Sequence, residues 1–419
     1  MNQRPSDQAS ESTESADEPS LGRGQFGVLI LGLLSTAIGQ SLIFAILPPL
    51  GRSVGFDEVQ TNTILSASAA IFTISSPFWG RVSDRVGRKP VILVGLIGYT
   101  VGTLVFAAAF FIGIKGLLTG LPLFALIIFV RCLQSMTMSA TNPGSVAYAA
   151  DNSSRVKRTQ TIARLSAASS MGMIIGPVFA GFLAVWGLLT PMYAVAALSA
   201  AAALMIALKL PAKDAHRTYD RALPRQKLRV LDPRIRLYLL CSVGVFAGFS
   251  GLQQTLGFLL QDSLGLSGTD TARYTGFCLM ASAFSTFTMQ LTVAQRFSGQ
   301  PIYLVRAGLL SLVMGALIIA VVGSFIGILV GMAFVGAGLG MAVPAIASAA
   351  SLAVSAEEQG GAAGLITACP AAGFIVGPIL AGVLYKIQPE FAAVGAAMVL
   401  ILVLGFSFSR GPQARENHE

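Results

Sequence analysis

Residues 80–89 read Gly80-Arg81-Val82-Ser83-Asp84-Arg85-Val86-Gly87-Arg88-Lys89, four cations and one acid lodged between two uncharged runs, 60–79 and 91–112. Each run supplies the ~20 residues that a helix needs to cross a bilayer. The pattern extends along the chain. Further runs with at most one charge lie at 26–47, 121–143, 161–183, 188–208, 237–260, 271–294, 302–322, 324–346, 361–384 and 391–408. Of 419 residues, 54% are apolar and 11% charged, whereas roughly a quarter are charged in an ordinary soluble domain. So little charge cannot cover the surface of a water-soluble protein of this length. The solvent is lipid. Strands of a membrane β-barrel would be about 10 residues long with alternating polarity; these runs are far longer and do not alternate. The chain is predicted to be an all-α integral membrane protein of about twelve transmembrane helices.

Net charge is +9, from 28 Lys and Arg against 19 Asp and Glu. The cations are unevenly placed. Arg81, Arg85, Arg88, Lys89, Arg155, Lys157, Arg158, Arg164 and most of those at 209–236 fall on one side of the predicted spans. Arg52, Lys115, Arg273 and Lys386 fall on the other. The positive-inside bias explains this asymmetry without invoking nucleic acid and puts both termini in the cytoplasm of a cell (inner) membrane protein. Segment 1–24 is polar and acidic, without the basic start and small-residue cleavage site of a signal peptide, and reads as a disordered cytoplasmic tail. The polar segment 211–235 then reads as a basic cytoplasmic linker. It separates an N-terminal six-helix bundle, 25–210, from a C-terminal one, 236–409, with a short tail at 410–419. The four cysteines, Cys132, Cys241, Cys278 and Cys369, lie in apolar runs with no CxxC pair, and only two histidines occur. Neither a metal site nor a disulfide framework is expected, and no cofactor is implied.

The two halves repeat. Met173-Ile174-Ile175-Gly176-Pro177-Val178-Phe179-Ala180-Gly181 is matched by Phe374-Ile375-Val376-Gly377-Pro378-Ile379-Leu380-Ala381-Gly382, and Pro143 aligns with Pro344 at the same spacing. Segment 78–90 has a fainter echo at 289–301, where Arg85 aligns with Arg296 and Pro90 with Pro301. Duplication of a six-span unit gives two pseudo-symmetric bundles around a site at mid-membrane, the architecture of a rocking transporter.

The loop of Gly80, Asp84, Arg85, Gly87, Arg88 and Lys89 resembles the signature loop of the major facilitator superfamily, G-x-x-x-D-R-x-G-R-K, and matches it nearly completely. The resemblance implies the major facilitator fold and a cytoplasmic gate in which Asp84 and Arg85 latch against the opposite half. The positive N-terminal end of the eleventh span, near Gly361, is a fitting target for the acid. Gly172, Gly176, Pro177 and Gly181 resemble the antiporter signature of drug/proton exporters, G-x-x-x-G-P-x-x-G-G, with Ala180 in place of one glycine. Small residues allow close helix approach and Pro177 favours a kink; ordinary packing gives the same pattern. Arg131 and Gln134 resemble the family's R-x-x-Q-G motif, with Ser135 for the glycine, and the resemblance links such an arginine to proton transfer. A cation inside a span must face protein or water, and Arg131, Gln134, Ser135 and Met138 share one helical face.

By the same resemblance the first, fourth, seventh and tenth spans line a cavity, to which Gln40 and Ser41, then Gln253 and Gln254, would contribute polar groups. Phe44, Met138, Phe249 and Phe258 would add an apolar wall. No acid falls inside a predicted span, so a carrier of protons would be Asp57, Glu58, Asp84 or Asp151 at a boundary. Arg131 then favours neutral, anionic or zwitterionic cargo. No G-x-x-x-x-G-K-[ST] phosphate loop is present, nor an HExxH or GxSxG segment, so neither ATP-driven transport nor enzyme chemistry is expected. The expected function is secondary active export of a small amphipathic molecule, a drug or metabolite as in multidrug resistance, by proton antiport with alternating access. Proton-coupled uptake of a small polar solute is the rival, and a non-transporting membrane sensor a more distant one. The expected partners are the lipid bilayer, the small-molecule substrate and protons, with no nucleic acid, and the chain is expected to be a monomer.

Overall fold

The computed structural model describes residues 22–153, 155–211, 232–355 and 358–408. The tails expected at 1–24 and 410–419 and the linker expected at 211–235 lie almost wholly outside the described residues. The first half contains α1 (Arg23–Ser53), α2 (Glu58–Val86), α3 (Arg88–Ile114), α4 (Gly120–Met138), α5 (Thr141–Asp151), α6 (Arg155–Leu183) and α7 (Thr190–Lys209). The second contains α8 (Arg236–Leu264), α9 (Gly268–Met289), α10 (Pro301–Val321), α11 (Phe325–Leu352), α12 (Gln359–Ile387) and α13 (Pro389–Phe408). No strand occurs among the described residues.

Local chemistry sets the helix ends. Asp57 accepts from the Gln60 backbone N–H at 2.7 Å while the Gln60 side chain accepts from the Asp57 N–H at 3.1 Å, a capping box that starts α2. Burial alone would raise the Asp57 carboxyl; the Gln60 N–H and the Lys386 ammonium outweigh it and hold that carboxyl below the usual aspartate range. Gly87, at φ 101°, turns the chain from α2 into α3 in a conformation that only glycine adopts freely.

Two expectations need correction. The fourth span, expected over 121–143, runs on as far as Asp151, with a turn at Ser139 and Ala140 between α4 and α5. Pro143 causes the turn: it has no N–H to donate, and its ring would collide with the carbonyl four residues back, that of Ser139. The turn is held by Ser139 Oγ and Trp79 Nε1, which both donate to the Met136 carbonyl, at 2.8 and 2.7 Å. Helices also run beyond the uncharged runs at several ends, so Asp262, expected to follow the seventh span, lies in the last turn of α8. Among the described residues, eleven helices are long and apolar enough to cross a membrane. α2 is not one of them, although it is long enough. Its polar residues Thr61, Asn62, Ser66 and Ser68 are buried against other helices, so the composition of α2 reflects protein neighbours more than lipid.

Within the first half α1 packs on α6 and α7, and α3 on α4 and α7; within the second, α8 packs on α12 and α13, and α10 on α11. The repeat is reproduced atom by atom at one place. Ser41 Oγ on α1 donates to the Gly172 carbonyl of α6 at 3.1 Å, and Ser250 Oγ on α8 donates to the Gly373 carbonyl of α12 at 3.0 Å. One turn further, Gly176 faces Ser41 and the Ile38 carbonyl, and Gly377 faces Ser250 and the Ala247 carbonyl, with no room for a Cβ at either glycine. The halves meet through α2 against α12, α6 against α9, and α1 against α8 and α9.

Because a backbone carbonyl occupies the space a methyl would need, Gly176→Ala and Gly377→Ala should each force helices apart. Overpacking of this kind costs about 1–3 kcal/mol. Thermal unfolding of detergent-purified variants should show a comparable drop in Tm for both; an unchanged Tm at either would mean that its helix pair yields freely.

Candidate functional site

Arg131 sits deep in α4 with only 1% of its surface exposed. Its Nη1 donates to Gln134 Oε1 at 2.7 Å and its Nη2 reaches Gln40 Oε1 of α1 at 3.5 Å. Gln134 Nε2 in turn donates to Thr103 Oγ1 on α3 at 2.6 Å, where Gly102 lets the two helices approach. The guanidinium lies 5.6 Å from the centre of the Phe106 ring. The shared face read from the sequence therefore becomes a chain of contacts over three helices. Among the described residues no carboxylate pairs with Arg131, and its Nε and the Ser135 Oγ have no hydrogen-bond partner. A charge left like this in hydrocarbon would cost ~2.5–3.5 kcal/mol on insertion scales; amide oxygens and an aromatic face offset part of it.

Further buried polar groups lie on α8 and on α2, one set in each half. Gln253 and Gln254 of α8 are buried, and the Gln253 Oε1 and both amide atoms of Gln254 lack partners. On α2, Asn62 is in the same state at both amide atoms, as is the Ser66 hydroxyl. An unmet buried polar atom costs about 1–3 kcal/mol, so these groups are primed for water or a ligand. Phe249, one turn before Gln253 on α8, meets Phe374 of α12, which gathers three rings: Phe44 of α1 at 6.4 Å, Phe249 at 6.3 Å and Phe246 at 6.2 Å. Two residues of the expected apolar wall, Phe44 and Phe249, belong here. Phe258 does not; it packs at the end of α8 against Tyr385 and beneath Arg52. Sequence reading missed Phe374, which stands next to Gly373 in the repeated motif and could have been found there.

The charged loop is tied within its own half. Arg88 Nη1 donates to Asp84 and, at 3.2 Å, to Ser83 Oγ, while its Nε donates to Asp151 Oδ2 at 3.0 Å. Lys89 Nζ donates to the carbonyls of Ala207 and Leu210 at 2.8 and 2.6 Å, closing the C-terminal end of α7, where a cation meets the negative end of the helix. Arg85 is exposed, and Gly80 has open space around it. The expected target, the start of α12, is occupied by Glu358, which accepts from Arg234 Nη1 and Nη2 at 2.9 Å each. Arg234 holds the Glu358 carboxyl below its ordinary range.

At the opposite end the halves are joined. Arg52 of α1 binds Asp262 of α8, and Lys386 of α12 donates to Asp57 at 3.0 Å; among the described residues these are the ion pairs that cross between the halves. Glycines permit the contact: Gly181 lies against Ala272 and Arg273, Gly276 against the Pro177 carbonyl, and Gly382 against Glu58 and Val59. Further along α6, on the face bearing Gly181, Ser170 and Ser166 are exposed, and along α12 so are Thr367 and Gly364. The halves touch at one end and part toward the other. The sequence held a signal for this seal, since Arg52 and Asp262 stand near the ends of the corresponding first helices of the two repeats. No cluster of His, Cys, Asp or Glu suited to a metal occurs among the described residues.

The family model described as Major Facilitator Superfamily matches residues 29–369. Multidrug resistance protein 2 of Bacillus subtilis (strain 168) is 24% identical over 393 residues, covering 91% of this chain and 94% of the relative. Quinolone resistance protein NorA of Staphylococcus aureus (strain MSSA476) is 22% identical over 386 residues, covering 91% and 95%. Among solved structures, a bacterial homologue of the human lysosomal transporter Spinster, in an inward-facing and occupied conformation, superposes with a TM-score of 0.69. It is 15% identical over 92% of this chain and 95% of that one.

Asp84→Asn removes one of two acids that hold Arg88, leaving Asp151 in place. An exposed pair contributes ~1 kcal/mol or less, so insertion and thermal stability should stay close to wild type while transport falls. Normal transport at normal expression would remove Asp84 from the mechanism.

Proposed function

The chain belongs to the major facilitator superfamily, and from that premise we propose that it exports a small amphipathic molecule by proton antiport, its halves exposing a central site alternately to the two sides of a cell membrane. It is a multi-pass membrane transporter. The observation that carries the reading is the pair of halves joined by ion pairs at one end, with their facing helices exposed toward the other and with buried polar groups on α2 and α8 that have no partner among the described residues. A ligand that enters from the parted end would find the Phe44–Phe374–Phe249 rings beside the amides of Gln253 and Gln254, apolar surface with a few oriented polar groups, as small-molecule sites have.

Direction follows from charge and kinship. Arg81, Arg85, Arg88, Lys89, Lys209, Arg234 and Arg236 lie at the parted end, which the positive-inside bias assigns to the cytoplasm together with both termini. Loading from the cytoplasm suits an exporter. The named relatives are a multidrug resistance protein and a quinolone resistance protein, and the Gly172, Gly176, Pro177 and Gly181 motif resembles that of drug/proton exporters.

The cargo reading rests on Arg131. With no carboxylate beside it, this fixed cation dominates the field of the first half's interior; it repels cationic solutes and favours a cargo with a carboxylate or other anionic end. Proton movement in inverted membrane vesicles, driven by a chemically varied panel, tests the whole. Antiport predicts that cargo discharges a preset proton gradient. Symport gives the opposite flux, and a panel that moves no protons overturns the reading.

Arg131→Lys retains the charge without the planar five-donor fork, and Arg131→Gln loses both. Transport of the active cargo should be abolished in Arg131→Gln and partly kept in Arg131→Lys, with both proteins folded by size-exclusion chromatography. Normal transport by Arg131→Gln would make the residue structural and cancel the anionic-cargo assignment.

A further inference from the structure

Arg306 stands in the second turn of α10, at the charged end of the second half, and belongs to no ion pair among the described residues. Its Nη2 donates to the Ser407 carbonyl at the end of α13, at 2.7 Å, where a cation meets the negative end of that helix. The guanidinium carbon lies 4.2 Å from the centre of the Phe408 ring and 5.9 Å from that of Tyr303. A guanidinium carries five N–H donors. One is spent on Ser407, and the buried Nε–H has no partner. Capping of α13 accounts for Nη2 and leaves Nε unexplained. An unmet buried donor is costly.

Rings against the face of a guanidinium leave its edge free, and the in-plane donors of that edge fit an oxyanion, phosphate above all. The surroundings say where the phosphate comes from. Tyr303, Leu310, Met314 and Leu317 are exposed and share one face of α10 with Arg306. No described residue covers that stripe, so lipid does. Side chains on a helix point back toward its N-terminus, which brings the guanidinium level with the last residues of α13. From Arg306 to Leu317 the helix rises ~16 Å, close to the ~15 Å of hydrocarbon in one leaflet.

We propose that Arg306 holds the phosphate of an anionic phospholipid in the leaflet at the charged end, with an acyl chain along Leu310 and Met314. The lipid supplies the anion that the protein withholds and ties α10 to α13 at their common end. A zwitterionic headgroup brings an ammonium that competes for the same phosphate; an anionic one leaves the whole charge to Arg306. The site lies on the outer face of the second half and draws on neither the cargo nor the direction of transport.

Full-length protein purified in detergent is mixed with tail-matched phosphatidylglycerol or phosphatidylcholine, and bound lipid is counted by native mass spectrometry beside thermal unfolding. Wild type should hold phosphatidylglycerol about fivefold more tightly, the worth of one cation near an anionic membrane surface, and gain Tm from it. Arg306→Gln should lose that preference. Arg306→Lys should keep part of it, since the charge stays and the fork goes. Arg296→Gln, which removes an exposed cation at the same end, should keep it in full. Tyr303→Glu sets a carboxylate three residues before Arg306 on the same face; it should abolish the preference in a folded protein, and so serves if Arg306→Gln misfolds. Glycerol phosphate, a headgroup without tails, should give no gain in Tm. Equal retention of the two lipids by wild type, or equal loss in Arg306→Gln and Arg296→Gln, overturns the proposal. So does a lower Tm in Arg306→Gln with the preference intact, the mark of a helix cap alone. Stabilisation by glycerol phosphate as large as that by the lipid overturns it too, in favour of a soluble anion.

Discussion

Hydrocarbon offers no hydrogen bonds, so every polar group carried into the membrane must find its partner inside the protein or be left wanting. Much of the structure follows from that constraint. Among the described residues thirteen α-helices satisfy the backbone within themselves. Hydroxyls on the spans fold back onto carbonyls three or four residues earlier, as Thr36, Thr103 and Thr255 do. Where the fourth span turns, the hydroxyl of Ser139 itself and the Trp79 indole donate to the same carbonyl, that of Met136. Against this background of satisfaction the exceptions stand out. Among them are the unmet amides of Asn62 on α2 and of Gln253 and Gln254 on α8, and the cation of Arg131 where α1, α3 and α4 converge.

Helices in lipid gain little from hiding apolar side chains, because lipid is equally apolar; they associate through close contact. The Gly172–Gly176 and Gly373–Gly377 pairs supply it twice, each sealed by a serine hydroxyl from the helix opposite. These contacts tie α1 to α6 in the first half and α8 to α12 in the second. Gly181, Gly276 and Gly382 then bring the two halves together at one end. The glycine contacts and the ion pairs that cross between the halves among the described residues lie at that same end.

Charge is distributed by the same logic. Cations that need no membrane crossing gather at the loop end, where Arg88 and Lys89 bind the first half together. Arg52 holds the opposite end shut across the two halves. Arg131 stays inside, its cost lowered by Gln134, Gln40 and the Phe106 ring. Three arginines thus meet three settings: a network within one half at the charged end, the seam between the halves, and the dry interior.

The sequence by itself determined the solvent, the spans, their duplication and the loop that carries the family resemblance. All of these are properties of neighbouring residues: an uncharged run, a glycine before a turn, a motif repeated at fixed spacing. The Arg131–Gln134 contact was legible for the same reason, since three residues along a helix is one face. The tertiary structure alone decided which distant residues meet. Arg52 and Asp262, 210 positions apart, form an ion pair because two bundles close at one end, and Phe258 joins that seal instead of the cavity wall. Phe374 becomes the centre of an aromatic cluster for the same reason. The turn at Ser139 lay between the two, with Pro143 visible in the sequence but its consequence settled by the hydroxyl and indole that hold the bend. Local pattern fixes what each helix is; which charges it meets depends on how two rigid halves lean together, and no stretch of chain encodes that alone.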